Sequence, residues 1–121
     1  MKIGITGWMG FVGSNLSHYI QDPFLFQGNM SNLKKVRKFV KECDRIYHIA
    51  GKNRDIEGGI LENNLRSTGN LILACKLENV SPEIIFISST QVEWNPNSEY
   101  GLTKKIEEKI GFVNLNYYLH Q

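Results

Sequence analysis

Residues 1–13 read Met1-Lys2-Ile3-Gly4-Ile5-Thr6-Gly7-Trp8-Met9-Gly10-Phe11-Val12-Gly13. Ile3 and Ile5 lie in a short apolar run that ends at Gly7, and Gly7, Gly10 and Gly13 follow at a spacing of three. Val12, Leu16 and Ile20 then recur every four residues, which is a helical period. The stretch predicts a strand, a tight glycine turn and a helix. Glycine lets the backbone turn sharply and lets an anion approach the main chain. The N–H groups at the helix start, at the positive end of its dipole, bind such an anion. Glycines between an N-terminal strand and an amphipathic helix support a dinucleotide site; the plainer alternative is a strand–turn–helix with no ligand.

The rest of the chain continues the alternation. The first strand covers about residues 2–6 and the first helix about 11–21, broken at Asp22-Pro23. Phe24-Leu25-Phe26 is a second strand, ended by Gly28-Asn29. Ser31 or Asn32 caps a helix of about 32–42. Arg45–Ala50 is a third strand closed by Gly51, and residues 52–60 form a polar loop. Leu61, Leu65, Thr68, Ile72 and Cys75 mark a helix of about 61–79, broken at Ser81-Pro82. Glu83–Ile87 is apolar on both faces, as a central parallel strand should be. Residues 88–98 form a loop. Leu102, Ile106, Ile110, Val113 and Tyr117 mark a last helix, over 100–119. A strand through Val113, Leu115, Tyr117 and Leu119 competes, but the helical period covers more positions. The alternation predicts an α/β fold: a Rossmann-like, doubly wound parallel sheet in three layers. A ligand should lie beyond the C-terminal ends of the strands, where Gly7–Gly13, Ala50-Gly51 and Ser88–Thr90 all fall.

At 121 residues the chain is one domain, 1–121, with ordinary hydrophobic content (41%). A net charge of +2 gives no reason to expect a nucleic-acid or membrane partner. The basic run Lys34, Lys35, Arg37, Lys38, Lys41 is read as a solvated helix face. No apolar run approaches the ~20 residues that span a bilayer. The N-terminus enters a strand directly, so no signal peptide is read. Cys43 and Cys75 lie far apart and have no metal-like spacing, which suggests buried or bland thiols in a reducing compartment, the cytoplasm. No metal site is expected. His48, Trp8 and Trp94 are assigned to packing or loop positions, with the main chain of Trp8 part of the glycine turn.

Tyr100-Gly101-Leu102-Thr103-Lys104 places a phenol and an ammonium four residues apart, on one face of a helix. Phenol has a reference pKa of about 10. A nearby ammonium favours the phenolate and brings that value toward the working range of an acid/base group. A hydroxyl such as that of Ser89 can hold a substrate oxygen beside it. Alone, such a pair is more often two surface residues.

Together, these residues resemble the extended short-chain dehydrogenase/reductase family, the sugar-nucleotide epimerases and dehydratases. Thr6–Gly13 looks like its cofactor motif, and Tyr47-His48-Ile49-Ala50-Gly51 resembles its strand-end motif. Asn64 with Ser67–Leu71 looks like its asparagine-bearing helix. Ile87-Ser88-Ser89 and Tyr100/Lys104 fall where the family places its active-site hydroxyl and its Tyr-x-x-x-Lys. The five occur in the family's order. The resemblance implies cofactor contacts from Gly7, Trp8, Met9, Gly10, Phe11, Val12 and Gly13, and from Ile49, Ala50 and Gly51. It implies Tyr100 as acid/base, Lys104 on the nicotinamide ribose and tuning Tyr100, and Ser89 on the substrate oxygen. It implies NAD or NADP as cofactor, a nucleotide-sugar substrate, and a homodimer through helices 61–79 and 100–119. The short loop from Ser89 to Tyr100 and His48-Ile49-Ala50-Gly51-Lys52-Asn53-Arg54 look most like the family's reductases of bacterial surface-polysaccharide synthesis, which act on UDP-linked keto-deoxy sugars. Thr90, where some dehydratases carry aspartate, argues against dehydration.

The chain departs from the family's pattern in four places. No acidic residue ends the second strand, where Gln27 and Asn29 stand and no arginine is adjacent; this favours NADP over NAD. The loop from Ser89 to Tyr100 is short. One helix, rather than a helix–strand unit and a helix, joins the second and third strands. Family members are also more than twice as long. The sequence therefore reads as the cofactor part, truncated before the later strands and without a substrate domain. Little turnover is expected of it alone; a non-enzymatic NAD(P)-binding or dimerisation module is the alternative.

Overall fold

The chain runs β1 (Ile3–Thr6), α1 (Phe11–Tyr19), β2 (Phe24–Leu25), α2 (Leu33–Glu42), β3 (Arg45–His48), α3 (Ile60–Glu78), β4 (Glu83–Ile87) and β5 (Tyr117–His120). This is a computed structural model, and it describes residues 1–49, 60–87 and 117–120. The five strands form one parallel sheet in the order β2-β1-β3-β4-β5. From β1 the chain crosses one way to β2, then back past β1 to β3. Because parallel crossovers are right-handed, this reversal puts α1 and α2 on opposite faces. α2 and α3 share one face and pack on each other. The doubly wound, three-layer fold is the one expected, with its switch in strand order between β1 and β3.

The end of the chain corrects the sequence reading. Residues 117–119, assigned to the last helix, fall instead in β5, with Tyr118 opposite Ile85 and Leu119 opposite Phe86. The apolar positions there satisfy both a helical period and strict alternation. Pairing with the N–H and C=O groups of β4 favours the strand. The sheet thus holds one strand more than the sequence reading counted, and the proposed dimer helix cannot extend to 119. Residues 100–116 lie outside the described residues.

The core on the α2/α3 face is built by register. Gly4, Ile46 and Ile84 lie side by side on neighbouring strands. The two isoleucines are fully buried, with Phe86 two residues on from Ile84. α2 starts at Asn32, whose side chain accepts from the Lys35 N–H at 3.2 Å. Its Val36, Phe39 and Val40 recur at the spacing of one helix face and are buried. Phe39 stacks on Phe24 and meets Phe26 edge-on, each with centroids 5.2 Å apart. Gly4 makes this packing possible: a β-carbon there would lie 2.5 Å from Cys43 Sγ and 2.6 Å from Phe39 Cζ.

α3 stops in a Schellman arrangement. Asn79 takes φ 55°, the Asn79 N–H reaches Lys76 O (3.2 Å), and the Val80 N–H reaches Cys75 O (3.0 Å). Glu78, at the helix end, accepts from Arg37 Nε at 2.8 Å and lies 3.9 Å from Lys41 Nζ. Cys43 and Cys75 are free and buried. Burial pushes the Cys43 thiol up to about 12 and that of Cys75 up to about 11. Among the described residues no helix is long and apolar enough to cross a membrane.

Candidate functional site

Each glycine of the turn has its own physical reason. Gly7 follows β1 with φ +68°, a left-handed conformation that bends the chain off the strand. The Gly10 N–H closes the turn on Gly7 O at 3.2 Å. Gly13 is buried under the turn: a β-carbon there would overlap Gly7 O and sit 2.6 Å from Trp8 Cα. Its lack of a side chain lets the first turn of α1 close against the end of β1. Gly10 differs from both. Its φ of −78° suits any residue, and among the described residues a β-carbon would meet only Gly7 O, at an ordinary 3.6 Å. The described residues therefore do not require glycine at 10, and they leave the space beside it open for a ligand to approach the main chain.

α1 opens directly from this turn, and its first helical hydrogen bond runs from the Ser14 N–H to Gly10 O at 2.8 Å. The N–H groups of residues 11–13 have no carbonyl of their own helix to bond. The first turn of α1 carries no acidic side chain, so no carboxylate opposes an anion there. Met9 and Val12 are exposed beside it.

Side chains join three strand ends around the turn. The Trp8 indole N–H donates to Phe26 O at 2.9 Å, and the Phe26 N–H continues the β1–β2 ladder to Ile5 O at 3.0 Å. Thr6 Oγ1 accepts from the Ile49 N–H at 3.1 Å and lies 2.8 Å from His48 Nδ1. His48 Nε2 lies 3.1 Å from Thr68 Oγ1 of α3, and the ring meets Phe86 edge-on. Thr6, His48 and Thr68 are all buried. His48 is thus a core histidine, as the sequence reading assigned it. Asn70, two residues beyond Thr68, donates to Met30 O at 2.8 Å and ties α3 to the loop after β2.

The structure therefore gathers Gly7, Trp8, Met9, Gly10, Phe11, Val12, Gly13 and Ile49 beyond the C-terminal ends of β1 and β3. Ala50, Gly51, Ser89, Tyr100 and Lys104 lie outside the described residues. The sequence reading missed the Thr6–His48–Thr68 chain; its only outward signal is a polar residue at each of two buried strand ends. It also missed Lys35, whose ammonium turns back toward the loop after β2. A lysine in the first turn of a helix, where acids are favoured, was the available signal. No group of three His, Cys, Asp or Glu among the described residues could hold a metal.

A parallel sheet wound in both directions, with a glycine turn at its switch point, defines a Rossmann-like α/β protein. The chain belongs to the NAD dependent epimerase/dehydratase family, whose model matches residues 3–111. It is 30% identical over 117 residues to a UDP-2-acetamido-2,6-beta-L-arabino-hexul-4-ose reductase of Pseudomonas aeruginosa, spanning 90% of this chain and 30% of that one. A 2-alkyl-3-oxoalkanoate reductase of Shewanella oneidensis is 27% identical over 101 residues, 79% of this chain and 24% of the other. Among solved structures, the Thermus thermophilus UDP-glucose 4-epimerase complex with NAD superposes with a TM-score of 0.77 at 18% identity, over 98% of this chain and 54% of that one. RMD from Pseudomonas aeruginosa, complexed with NADPH, gives 0.79 at 21% identity, over 98% and 53%. At those identities the likeness is one of fold. The chain thus spans less than a third of the curated relatives and about half of the solved chains.

Proposed function

We propose that residues 1–121 form the NAD(P)-binding part of an enzyme that transfers hydride at a carbon of a nucleotide-linked sugar. The observation that carries the reading is Gly10: an N-cap with ordinary dihedrals where, among the described residues, only Gly7 O comes within 4 Å of an added β-carbon. In this reading the pyrophosphate lies against Gly10, on the N–H groups of residues 11–13. Gly7, Trp8, Met9, Phe11, Val12 and Gly13 shape that turn, and Ile49, Ala50 and Gly51 pass beside the cofactor. The bound nicotinamide supplies or accepts hydride. Tyr100 gives or takes the proton at the substrate oxygen, Lys104 holds the nicotinamide ribose and favours the phenolate, and Ser89 holds the same substrate oxygen. A UDP-linked keto sugar is the substrate class, supported by the reductase relative. The free, buried cysteines support a cytoplasmic setting.

The test is cofactor titration by isothermal calorimetry. Wild type should bind NADH or NADPH, and Gly10→Val should fold alike but bind far more weakly; equal affinities would sink the reading. Joined to a substrate domain of the family, the chain should oxidise the reduced cofactor with UDP-linked keto sugars, whereas Tyr100→Phe in the same fusion should keep cofactor binding and lose that oxidation. We also read α3 as part of a homodimer surface. Gly69, Leu73 and Leu77 recur at the spacing of one helix face; among the described residues both leucines are exposed, and none comes within 4 Å of a β-carbon placed on Gly69. A monomeric mass by light scattering at high concentration would count against it.

A further inference from the structure

α2 begins against the ordinary preferences of a helix. With Asn32 as the cap, Lys35 occupies the third helical position. That position favours glutamate or glutamine, which reach back to the cap, and the positive end of the dipole favours carboxylates. The first turn here reads Leu33-Lys34-Lys35, with no acid. Lys35 folds back over the loop that follows β2. A β-carbon placed on Gly28, whose φ is +112°, would lie 3.0 Å from Lys35 Nζ and 3.1 Å from its Cδ. Among the described residues the Lys35 ammonium has no carboxylate within 4.0 Å, whereas Arg37 and Lys41 of the same helix both face Glu78. The segment around Gly28, Gln27-Gly28-Asn29-Met30-Ser31-Asn32, carries no acid.

The location of this ammonium gives it a use. The loop after β2 adjoins the glycine turn, because β2 pairs with β1 and Trp8 bonds Phe26 O. In doubly wound folds an acid near this point binds the ribose 2′-hydroxyl of NAD, while a cation accommodates the 2′-phosphate of NADP. We infer that Lys35 is a specificity-determining residue whose ammonium binds the 2′-phosphate, so that the chain prefers NADP(H) to NAD(H). The inference rests on the proposed cofactor site at the glycine turn. A lysine is a compact charge with rotatable donors on a flexible stem, suited to reaching across a turn from the next helix. Its bond to the phosphate is charge-assisted.

The experiment measures dissociation constants of NADPH and NADH for wild type, Lys35→Glu and Lys35→Arg, with 2′,5′-ADP and 5′-AMP as competitors. Lys35→Glu restores the Asn-x-x-Glu pattern favoured at a helix start, so it should fold at least as well as wild type. Wild type should bind NADPH more tightly than NADH by about tenfold or more, the scale of one charge-assisted bond. Lys35→Glu should abolish or reverse that preference with NADH affinity nearly unchanged, and Lys35→Arg should keep it. 2′,5′-ADP should compete better than 5′-AMP against wild type only. Binding of NADH with no NADPH preference, or a preference that survives in Lys35→Glu, overturns the role of Lys35 while leaving the glycine-turn site standing. Binding of neither cofactor overturns both.

Discussion

His48 Nδ1 lies 2.8 Å from Thr6 Oγ1, so the ends of β3 and β1 are joined by buried side chains as well as by the strand ladder. The same threonine oxygen accepts the Ile49 N–H. Replacing Thr6 by valine keeps the shape but removes the acceptor, leaving polar groups of Ile49 and His48 without it in the interior. The expected cost is about 1–3 kcal/mol. Urea denaturation should show a lower midpoint with an unchanged slope; a midpoint equal to that of wild type would mean the network contributes nothing.

The glycines of the turn should separate by assay. A methyl group at Gly13 overlaps the backbone of Gly7, so Gly13→Ala should lose about 1–3 kcal/mol or more. At Gly10 the stiffer unfolded chain of Gly10→Ala gains about 0.4–1 kcal/mol. The poorer N-capping of alanine offsets that gain, so its Tm should barely move. Calorimetric melting of the two variants checks the contrast.

Glu78 anchors the α2–α3 contact by receiving Arg37 at 2.8 Å, with Lys41 at 3.9 Å. The two cationic side chains are about half exposed, so water and salt screen the pair. Glu78→Gln should cost no more than about 1 kcal/mol. The loss should shrink at high salt, as followed by chemical denaturation at two ionic strengths.

The buried thiols make stability fall on the alkaline side. Unfolded, each ionises near 9.0; folded, Cys43 does so near 12 and Cys75 near 11. Above about pH 9 the unfolded chain releases protons that the folded chain keeps. The thiol contribution is therefore intact below that pH and is lost as pH rises through 9 to 12. The double variant Cys43→Ala/Cys75→Ala should be less stable at neutral pH from lost packing, but its stability should fall less steeply between pH 9 and 10.5 ~ the accessible part of the window. Parallel slopes in the two proteins would contradict this.

The elements legible in the sequence were those with one dominant period. Val36, Phe39 and Val40 fit only a helix, and Glu83–Ile87 only a buried strand. Residues 117–119 read as helix because Val113, Leu115, Tyr117 and Leu119 alternate while Ile106, Ile110, Val113 and Tyr117 follow a helical period. The tie is decided by pairing with β4, a contact no local pattern carries. The glycine turn was legible because backbone shape restricts residue type at Gly7 and Gly13. The His48 network and the reach of Lys35 were not, since both depend on which strand ends the topology makes neighbours.

Gly4 sets an order on how this chain can change. Phe39 and Cys43 fill the room that a side chain on Gly4 would need, so the three positions share one volume between strand and helix. Any carbon gained at position 4 has to be surrendered at 39 or 43, and the surrender has to come first. Diverging descendants should therefore vary at these positions together, with the helix shrinking before the strand residue grows.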